Sequence, residues 1–240
     1  MAMNCGVVVL PGSNCDHDVY HVLKHVLGQG TRFLWHQDTH LSGTDLVVLP
    51  GGFSYGDYLR AGSMAAQSPI MAAIRRHAEN GGLVLGICNG FQILLETGLL
   101  PGAMRRNAGL RFLSREVFLR VERADLPLTG RYSEGQVLRM PIAHAEGSYA
   151  DTDEALDRLE SEGQVIFRYC DAGGVVAPEA NPNGSERSIA GICSTGKNVW
   201  GLMPHPERCA EEVLDRTDGL GLFAGIVFGA IAVGAAESAR

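Results

Sequence analysis

Four short and almost entirely apolar runs alternate with helical patterns through the first half of the chain. The runs cover residues 6–10, 32–35, 46–50 and 83–87. Strands of this kind are buried on both faces, as they are in a parallel sheet covered by helices. Between them, apolar residues recur at helical spacing from Val19 to Leu27, and a second helical pattern follows Ser68. The alternation predicts an α/β fold with a doubly wound, mainly parallel sheet flanked by helices.

The second half of the chain contains more strand patterns and fewer helical ones. Apolar runs cover residues 117–121, 137–142, 165–169, 189–193 and 199–203. We expect these strands to complete the same sheet, so that residues 1–240 form a single domain. The uncharged segment 219–236 is long enough to span a membrane. A packed C-terminal helix is expected instead, because five apolar residues share one helical face: Leu222, Phe223, Ile226, Val227 and Ile231.

Composition and cysteine usage narrow the functional class. The formal net charge is -7, whereas a nucleic-acid-binding domain is usually basic. None of the six cysteines has C-x-x-C spacing, which favours free thiols in a reducing compartment. The first residues lack the features of a signal peptide. We therefore expect a cytoplasmic protein that binds neither nucleic acid nor a membrane.

Cys88 ends the apolar run 83–87 and begins a helical pattern, within the sequence Gly-Ile-Cys-Asn-Gly. A strand, a sharp turn and a helix make up the nucleophile elbow of α/β-hydrolase-like enzymes, here with sulfur in place of oxygen. The elbow lifts the thiol above the strand end, and the positive end of the helix dipole favours the reactive thiolate. We predict that Cys88 is a catalytic nucleophile; the alternative is a buried structural thiol.

A candidate base lies far downstream, in the sequence Met-Pro-His-Pro-Glu. Prolines on both sides hold His205 at the end of the run 199–203, where ligands bind in open α/β sheets. Glu207 lies two residues further on, so in an extended segment it projects on the same side as His205. Its carboxylate can then orient one imidazole nitrogen while the other faces the thiol. Cys88, His205 and Glu207 are therefore predicted to be nucleophile, base and orienting group.

Three backbone N–H groups are candidates for an oxyanion hole. Adjacent glycines follow the third apolar run, and they allow the N–H groups of Gly52 and Phe53 to point into a site. Asn89 directly follows the nucleophile, so its N–H group is the third candidate. An ordinary glycine-rich turn is the alternative for residues 52 and 53.

Two side chains near these groups are candidate substrate contacts. Gln92 lies one helical turn beyond Cys88 and could either support the elbow or bind substrate. His144 follows the run 137–142 and could line the pocket or a partner surface. A surface loop without function is an equally good interpretation of His144.

Cys15 competes with Cys88, because it also lies near a helix start. Asp16 and Asp18 beside it disfavour its thiolate, so we predict a structural or pocket-wall role for Cys15. Adjacent residues do not easily converge on one ion, so the segment Asp16-His17-Asp18 does not indicate a metal site. No metal is predicted on this chain.

Residues 191–198 nearly match a phosphate-binding loop. Asn198 stands where Ser or Thr should ligate magnesium, and a strand follows where a helix is required. A hairpin turn is therefore expected. The sequence predicts neither an ATP nor an NAD site, and no cofactor on this chain.

The chain resembles class I (triad-type) glutamine amidotransferases, and within them the glutaminase subunits that serve a synthetase of purine biosynthesis. The sequences GICNGFQ and PHPER surround the predicted triad. PGSNCD, PGGFSYGDYLRAG and NPNGS extend the resemblance over almost the whole chain. The resemblance implies a flavodoxin-like fold in which the triad hydrolyses glutamine and releases ammonia.

The resemblance also implies partners. Ammonia would pass to a large ATP-dependent synthetase subunit that carries ATP and Mg²⁺, together with a small accessory subunit. Two alternatives share the same elbow chemistry. One is the glutaminase subunit of a different synthetase, and the other is a cysteine peptidase or chaperone-like protein.

Overall fold

The computed structural model describes residues 2–237, with side chains described as far as Gly229. The strands are β1 (Asn4–Val9), β2 (Gly30–Trp35), β3 (Leu46–Leu49), β4 (Leu83–Ile87), β5 (Ala103–Arg105), β6 (Leu113–Val121), β7 (Val137–His144), β8 (Ser148–Ala150), β9 (Val165–Cys170), β10 (Ile189–Cys193) and β11 (Val199–Leu202). The α-helices are α1 (Asp16–His21), α2 (Ile70–Glu79), α3 (Asn89–Glu96), α4 (Asp153–Ser161) and α5 (Leu220–Glu237). A π-helical turn, Val22–Val26, continues α1.

One large sheet has the strand order β2-β1-β3-β4-β11-β10-β9-β6-β7, and β5 pairs with β8 separately. Neighbours from β2 to β11 run parallel, whereas those from β11 to β7 run antiparallel. The predicted α/β class is confirmed, and the later strands complete the same sheet as expected. The parallel part contains the four apolar runs that begin the chain.

The centre of the parallel part is buried from both sides. All four residues of β3 are completely inaccessible to solvent. Helix α3 packs across β3, β4 and β11, and its residues are buried from Asn89 to Leu95. Burial on both faces explains why these strands contain hardly any polar residue. It also gives the loops at their carboxyl ends a rigid base.

Helix α5 packs beside the loops at the carboxyl ends of the parallel strands. Leu222, Phe223, Ile226 and Val227 are fully buried, which confirms the predicted packed face for these four residues; Ile231 lies outside the described side chains. The helix packs on the turn Val22–Val26 and on the 3-10 turn Pro206–Arg208. No helix of the described residues is long and apolar enough to cross a membrane.

The antiparallel part differs most from the predicted boundaries. β6 begins at Leu113 and β7 continues to His144, so both strands are longer than their apolar runs. Burial alternates along both strands, and their exposed positions carry polar residues that interrupt an apolar pattern. The sequence also did not predict β5, β8 or α4, because β5 and β8 have three residues each and α4 is mostly polar.

Candidate active site

Loops from four parallel strands meet at the carboxyl edge of the sheet, where open α/β folds bind their ligands. The loops that follow β1 and β3 are joined by two backbone hydrogen bonds. The N–H of Cys15 donates to the oxygen of Gly51 (3.2 Å), and that of Phe53 donates to the oxygen of Gly12 (3.0 Å). At the end of β4, the N–H of Cys88 donates to a carbonyl of β11. All the predicted catalytic groups are therefore brought to one edge.

Cys88 occupies a strained turn between β4 and α3. Its φ is 50° and its ψ is -105°, a conformation that a non-glycine residue rarely adopts. Gly90 allows the turn to form, because a Cβ at that position would collide with the carbonyl oxygen of Leu49. The geometry agrees with the predicted elbow, and it places the thiol at the N-terminus of α3.

His205 and Glu207 form a buried pair at the end of β11. The Nδ1 atom of His205 lies 2.6 Å from Oε1 of Glu207, and the side chains are 2% and 0% exposed. One detail of the prediction is wrong, because Glu207 lies in the 3-10 turn Pro206–Arg208 and not in an extended segment. Proline fixes the first position of that turn, and the turn still brings the carboxylate to the ring.

The second ring nitrogen of His205, Nε2, is left free for proton transfer. Burial lowers the pKa of His205, but the charges of Glu207 and Cys88 raise it more, so that the net pKa lies well above 6.5. The Nε2 atom is buried and has no hydrogen-bond partner among the described residues. Because the N–H at Nδ1 donates its hydrogen bond to Glu207, Nε2 is the nitrogen available to the thiol of Cys88.

Cys15 lies next to Nδ1 of the same imidazole. Its Sγ atom is 3.9 Å from Nδ1 of His205 and accepts a hydrogen bond of 2.9 Å from the guanidinium of Arg208. Gly51 leaves room for both groups, because a Cβ there would lie 2.6 Å from the ring and 3.2 Å from Sγ. Cys15 therefore forms the wall behind the base, which is the role predicted for it.

Cys15, His205 and Glu207 bring a sulfur, a nitrogen and an oxygen within 4.8 Å of one another. Such a donor set is chemically suited to a zinc ion. However, the positive guanidinium of Arg208 already donates to the sulfur. A cation at this position would therefore face a like charge. We interpret the cluster as part of the triad's support and not as a metal centre.

The predicted oxyanion hole is only partly formed. Neither the N–H of Gly52 nor that of Asn89 has an acceptor among the described residues. The N–H of Phe53 is already used, because it donates to the oxygen of Gly12. The prediction for Phe53 therefore does not hold in this conformation, because its N–H group is hydrogen-bonded to the loop that follows β1. The N–H groups of Gly52 and Asn89 remain as candidate donors.

The side chain of Asn89 holds the glycine-rich loop against the elbow. Its Oδ1 accepts the N–H of Ser54 (3.1 Å), while its Nδ2 donates to Gln92 (2.9 Å) and Asp57 (3.3 Å). Burial and the nearby carboxylate of Glu146 raise the pKa of Asp57 to about 6, although its bond from Asn89 opposes the shift. The side chain of Asn89 therefore ties the loop after β3 to the first turn of α3.

Gln92 supports the elbow from within α3. Its Nε2 donates to the carbonyl of Glu146 (2.5 Å), and its Oε1 accepts from Asn89. The side chain is 4% exposed. Of the two roles predicted for Gln92, these contacts support the structural one, because both ends of its amide are already engaged.

His144 lies at the end of β7 as a neutral hydrogen-bond acceptor. Asn107 has one possible amide orientation, because its Oδ1 accepts from Gly147 (3.0 Å) while its Nδ2 donates to two carbonyls. The Nδ1 of His144, 3.1 Å from that Oδ1, must therefore carry the proton. Burial and then the charge of His205 lower the pKa of His144 to about 4. Its buried Nε2 lone pair has no partner among the described residues.

The sequence interpretation assigned no role to Arg208 or Asn107. Arg208 directly follows Glu207, so its position beside the triad was a usable signal. Asn107 lies in a polar, glycine-containing loop without any pattern, and three of its four side-chain hydrogen bonds are to residues far along the chain. Nothing in the local sequence indicates that role.

Comparisons with known proteins agree with this geometry. A family model described as a CobB/CobQ-like glutamine amidotransferase domain matches residues 3–218. A protein of Moorella thermoacetica, named phosphoribosylformylglycinamidine synthase subunit PurQ, is 58% identical and covers 94% of this chain and 95% of its own. A protein of the same name from Bradyrhizobium diazoefficiens is 55% identical over 93% of this chain and 97% of its own.

A solved structure described as PurLQS from Thermotoga maritima contains a similar chain. It is 42% identical, superposes with a TM-score of 0.84, and covers 94% of this chain and 98% of that one. A glutaminase domain of Trypanosoma brucei CTPS, with bound acivicin, shares the fold alone, at 13% identity and a TM-score of 0.58. With the family model matching most of its length, the chain belongs to the CobB/CobQ-like glutamine amidotransferases.

Proposed function

We propose that this chain is the glutaminase subunit of a phosphoribosylformylglycinamidine synthase. The observation that carries the proposal is the buried His205–Glu207 pair, whose free nitrogen is available to an elbow thiol. The identity of 58% to a relative named as a subunit of that synthase supports the assignment of substrate and pathway. The enzyme hydrolyses glutamine and supplies ammonia to carbon–nitrogen bond formation in purine biosynthesis.

Catalysis begins with Cys88. Its thiolate attacks the side-chain amide carbon of glutamine, and a carbon–sulfur bond forms. The negative charge on the amide oxygen is stabilised by the N–H groups of Gly52 and Asn89. The imidazolium of His205 gives its Nε2 proton to the leaving nitrogen, the carbon–nitrogen bond breaks, and ammonia departs. Glu207 keeps the ring oriented throughout this step.

The second half of the reaction hydrolyses the thioester and regenerates the thiolate of Cys88. His205, now neutral, takes a proton from water, and the resulting hydroxide attacks the thioester on Cys88. The carbon–sulfur bond breaks, glutamate leaves, and the thiolate and imidazolium are restored. His144 supports this cycle as a neutral acceptor beside the triad, because its pKa of about 4 keeps it uncharged at neutral pH.

Ammonia must then reach an acceptor before it takes up a proton from water. A large ATP-dependent synthetase subunit uses it to convert formylglycinamide ribonucleotide to formylglycinamidine ribonucleotide. ATP and Mg²⁺ bind to that subunit, and a small accessory subunit completes the assembly. The description PurLQS of the similar solved complex supports a multi-subunit arrangement. A cytoplasmic location agrees with the six free cysteines.

The reconstituted complex tests the proposal through the Cys88→Ser variant. We expect glutamine-dependent synthesis of formylglycinamidine ribonucleotide to be lost, while synthesis from added ammonium continues on the synthetase. Cys193→Ser, in the buried strand β10 away from the site, is the matched control and should retain both activities. If ammonium-dependent synthesis also disappears in Cys88→Ser, the proposed division of labour is wrong.

A further inference from the structure

Two buried asparagines bind the loop that follows β7, residues 144–147. The Oδ1 of Asn107 accepts the N–H of Gly147 (3.0 Å), and the Nδ2 of Asn183 donates to the carbonyl oxygen of Gly147 (2.7 Å). Asn107 is 1% exposed and Asn183 is completely buried. We call these two residues the amide clamp. Because side chains bind both backbone groups of one glycine, the amide clamp fixes the position of the loop.

The two asparagines of the amide clamp come from distant parts of the chain. Asn107 lies between β5 and β6, whereas Asn183 lies in the sequence NPNGS between β9 and β10. The N–H of Ala108 donates to the carbonyl oxygen of Asn183 (2.9 Å), which bonds the two segments directly. Asn183 also donates to the hydroxyl of Tyr169 on β9 (3.2 Å). The amide clamp therefore anchors the loop to the central sheet.

The strand that leads into this loop contacts two members of the triad. The carbonyl oxygen of Pro141 accepts the N–H of His205 (2.9 Å), and that of Ala143 lies 3.8 Å from the Sγ of Cys88. Backbone groups two residues apart on a strand point to the same side, so both carbonyls face the triad. Movement of the loop would therefore disturb the surroundings of the base and of the nucleophile together.

The amide clamp also sets the charge of His144. The Nδ1 of this ring lies 3.1 Å from the Oδ1 of Asn107, an amide oxygen that can only accept. A neutral amide at this position gives the ring no counter-charge, unlike a carboxylate. Burial and then the charge of His205 lower the pKa of His144 to about 4. A positive charge on His144 would oppose the imidazolium of His205, on which the thiolate of Cys88 depends.

Several segments next to His144 carry titratable side chains. These are Cys88 at the elbow, His205 and Glu207 after β11, Glu146 in the loop itself, Arg106 and Arg111 beside Asn107, and Arg115 and Glu116 on β6. Among these charges it is that of His205 that shifts the pKa of His144. The ring therefore responds to the triad, and it stays neutral as long as no carboxylate is hydrogen-bonded to its Nδ1.

We propose that Asn107 and Asn183 are positioning residues for glutamine hydrolysis, which hold residues 144–147 against the triad and keep His144 uncharged. The inference rests on the proposed function, because it concerns the same triad. Both asparagines act through Gly147, and Asn107 acts in addition through His144. The benefit is a thiolate–imidazolium pair that persists to weakly acid pH, since no second imidazolium opposes it.

The variant Asn107→Asp tests the charge on His144. A carboxylate hydrogen-bonded to Nδ1 favours the imidazolium and should raise the pKa of His144 by about one to three units. Glutamine hydrolysis by the assembled complex should then gain a new acid limb between about pH 5 and pH 7. Relative to the wild type, kcat/KM should fall about threefold or more further at about pH 5.5 than at about pH 8.

The double variant Asn107→Asp/His144→Gln is the control for this shift. It lacks the imidazole, so the new acid limb should disappear even where the rate itself stays low. A structural role of Asn107 alone would lower kcat/KM by the same factor at every pH in both variants, and that result would overturn the proposal. If the wild-type complex hydrolyses no glutamine, the proposed function fails instead.

Asn183→Ala tests the second half of the amide clamp, with Asn181→Ala as the matched control from the same sequence. The side chain of Asn181 bonds within its own turn, to Asn183, Gly184 and Ser185. Asn181→Ala should therefore leave the loop 144–147 in place and keep kcat within about threefold of the wild type.

The readouts for Asn183→Ala are kcat and the tautomer of His144. NMR spectra of the chain with isotope-labelled histidine, assigned with His144→Gln, should show His144 protonated at Nδ1 in the wild type and in Asn181→Ala. Asn183→Ala should show a mixture of tautomers and a kcat lowered about tenfold or more. A single Nδ1–H tautomer with a normal kcat would overturn the role of Asn183. If that variant does not fold, the pH profiles of Asn107→Asp decide.

Discussion

Two cysteines, Cys88 and Cys15, lie near the imidazole of His205, and the differences between them indicate which one reacts. Cys88 lies at a strained elbow ahead of a helix, and its charge contributes to the raised pKa of His205. The Nε2 atom of that ring has no hydrogen-bond partner among the described residues. Cys15 lies in the loop after β1, next to Nδ1, and its sulfur accepts from Arg208. Both thiols are buried. Because Nδ1 is bound to Glu207, only Nε2 is left to exchange a proton with a thiol, and Cys15 lies next to Nδ1.

Short distance to a histidine therefore does not identify a nucleophile. The closest sulfur, nitrogen and oxygen in this region belong to Cys15, His205 and Glu207, yet that set has no free ring nitrogen. The backbone adds the second distinction, since Cys88 occupies a strained turn before a helix whose first turn has no acidic residue. Cys15 also precedes a helix, but Asp16 and Asp18 lie in the first turn of that helix. Substitutions of each thiol and of the groups around His205 test this difference.

Replacement of the nucleophile should have the largest effect. Cys88→Ala should lower kcat for glutamine hydrolysis by about 10⁴-fold or more, because no thioester can form. The measurement is glutamate release by the chain assembled with its synthetase. A residual rate within tenfold of the wild type would mean that another group attacks glutamine.

Loss of the orienting charge should have the next largest effect. Glu207→Gln should reduce kcat by about 10³-fold, less than the loss of Cys88, because the ring loses its orientation but the thiol remains. The pKa of His205 should also fall, so the alkaline limb of the kcat/KM profile should move to lower pH. An unchanged profile would remove Glu207 from the triad.

The same pair should make stability depend on pH. Because the folded pKa of His205 lies above the ordinary value of 6.5, the pair contributes stability that is fully present below pH 6.5. That contribution is lost as the pH rises through the folded pKa. Denaturant unfolding of Glu207→Gln should therefore show the greatest loss of stability relative to wild type on the acid side of that range.

Gly51 packs against the ring of His205 and the sulfur of Cys15, so adding one methyl group there should disturb the base without changing any reactive atom. In Gly51→Ala, the new Cβ would lie 2.6 Å from the ring of His205, and the ring would have to move. A displacement of that size should reduce kcat by about 10²-fold. Gly109→Ala is the matched control, because a Cβ there meets no atom within 4 Å. Equal activity of both variants would contradict the tight packing behind the base.

Replacement of the second thiol should have the smallest effect. Cys15→Ala removes the wall behind His205 but leaves Cys88 and the His205–Glu207 pair, so kcat should fall by less than about tenfold. Steady-state glutamine hydrolysis measures this directly. A loss comparable to that of Cys88→Ala would reverse the assignment of the two thiols.

The sequence predicted the parts of the site that are determined locally. The elbow is one example, because a buried strand, Cys88 and a helix follow one another directly. The pairing of His205 with Glu207 is another, although its turn type was wrong. Parallel strands buried on both faces were equally clear, since their apolar runs carry almost no polar interruption.

Features that depend on distant contacts could not be predicted. The N–H of Phe53 is used by Gly12, from another loop, so its availability is decided by tertiary structure. Asn107 determines that His144 carries its proton on Nδ1, although the two residues are far apart in the sequence, and no local pattern marks Asn107. The start of β6 was missed because Ser114 and Arg115 face solvent on an antiparallel strand. The end of β7 was missed because its last residue, His144, is polar although it is buried.

Identification of the thiol that carries the intermediate tests the central claim most directly. The complex is mixed with radiolabelled glutamine, quenched in acid during turnover, and digested, and the labelled peptide is identified by mass spectrometry. The proposed mechanism predicts an acid-stable glutamyl thioester on the peptide that contains Cys88, and no label in Cys88→Ala. Label on the peptide that contains Cys15 would contradict it.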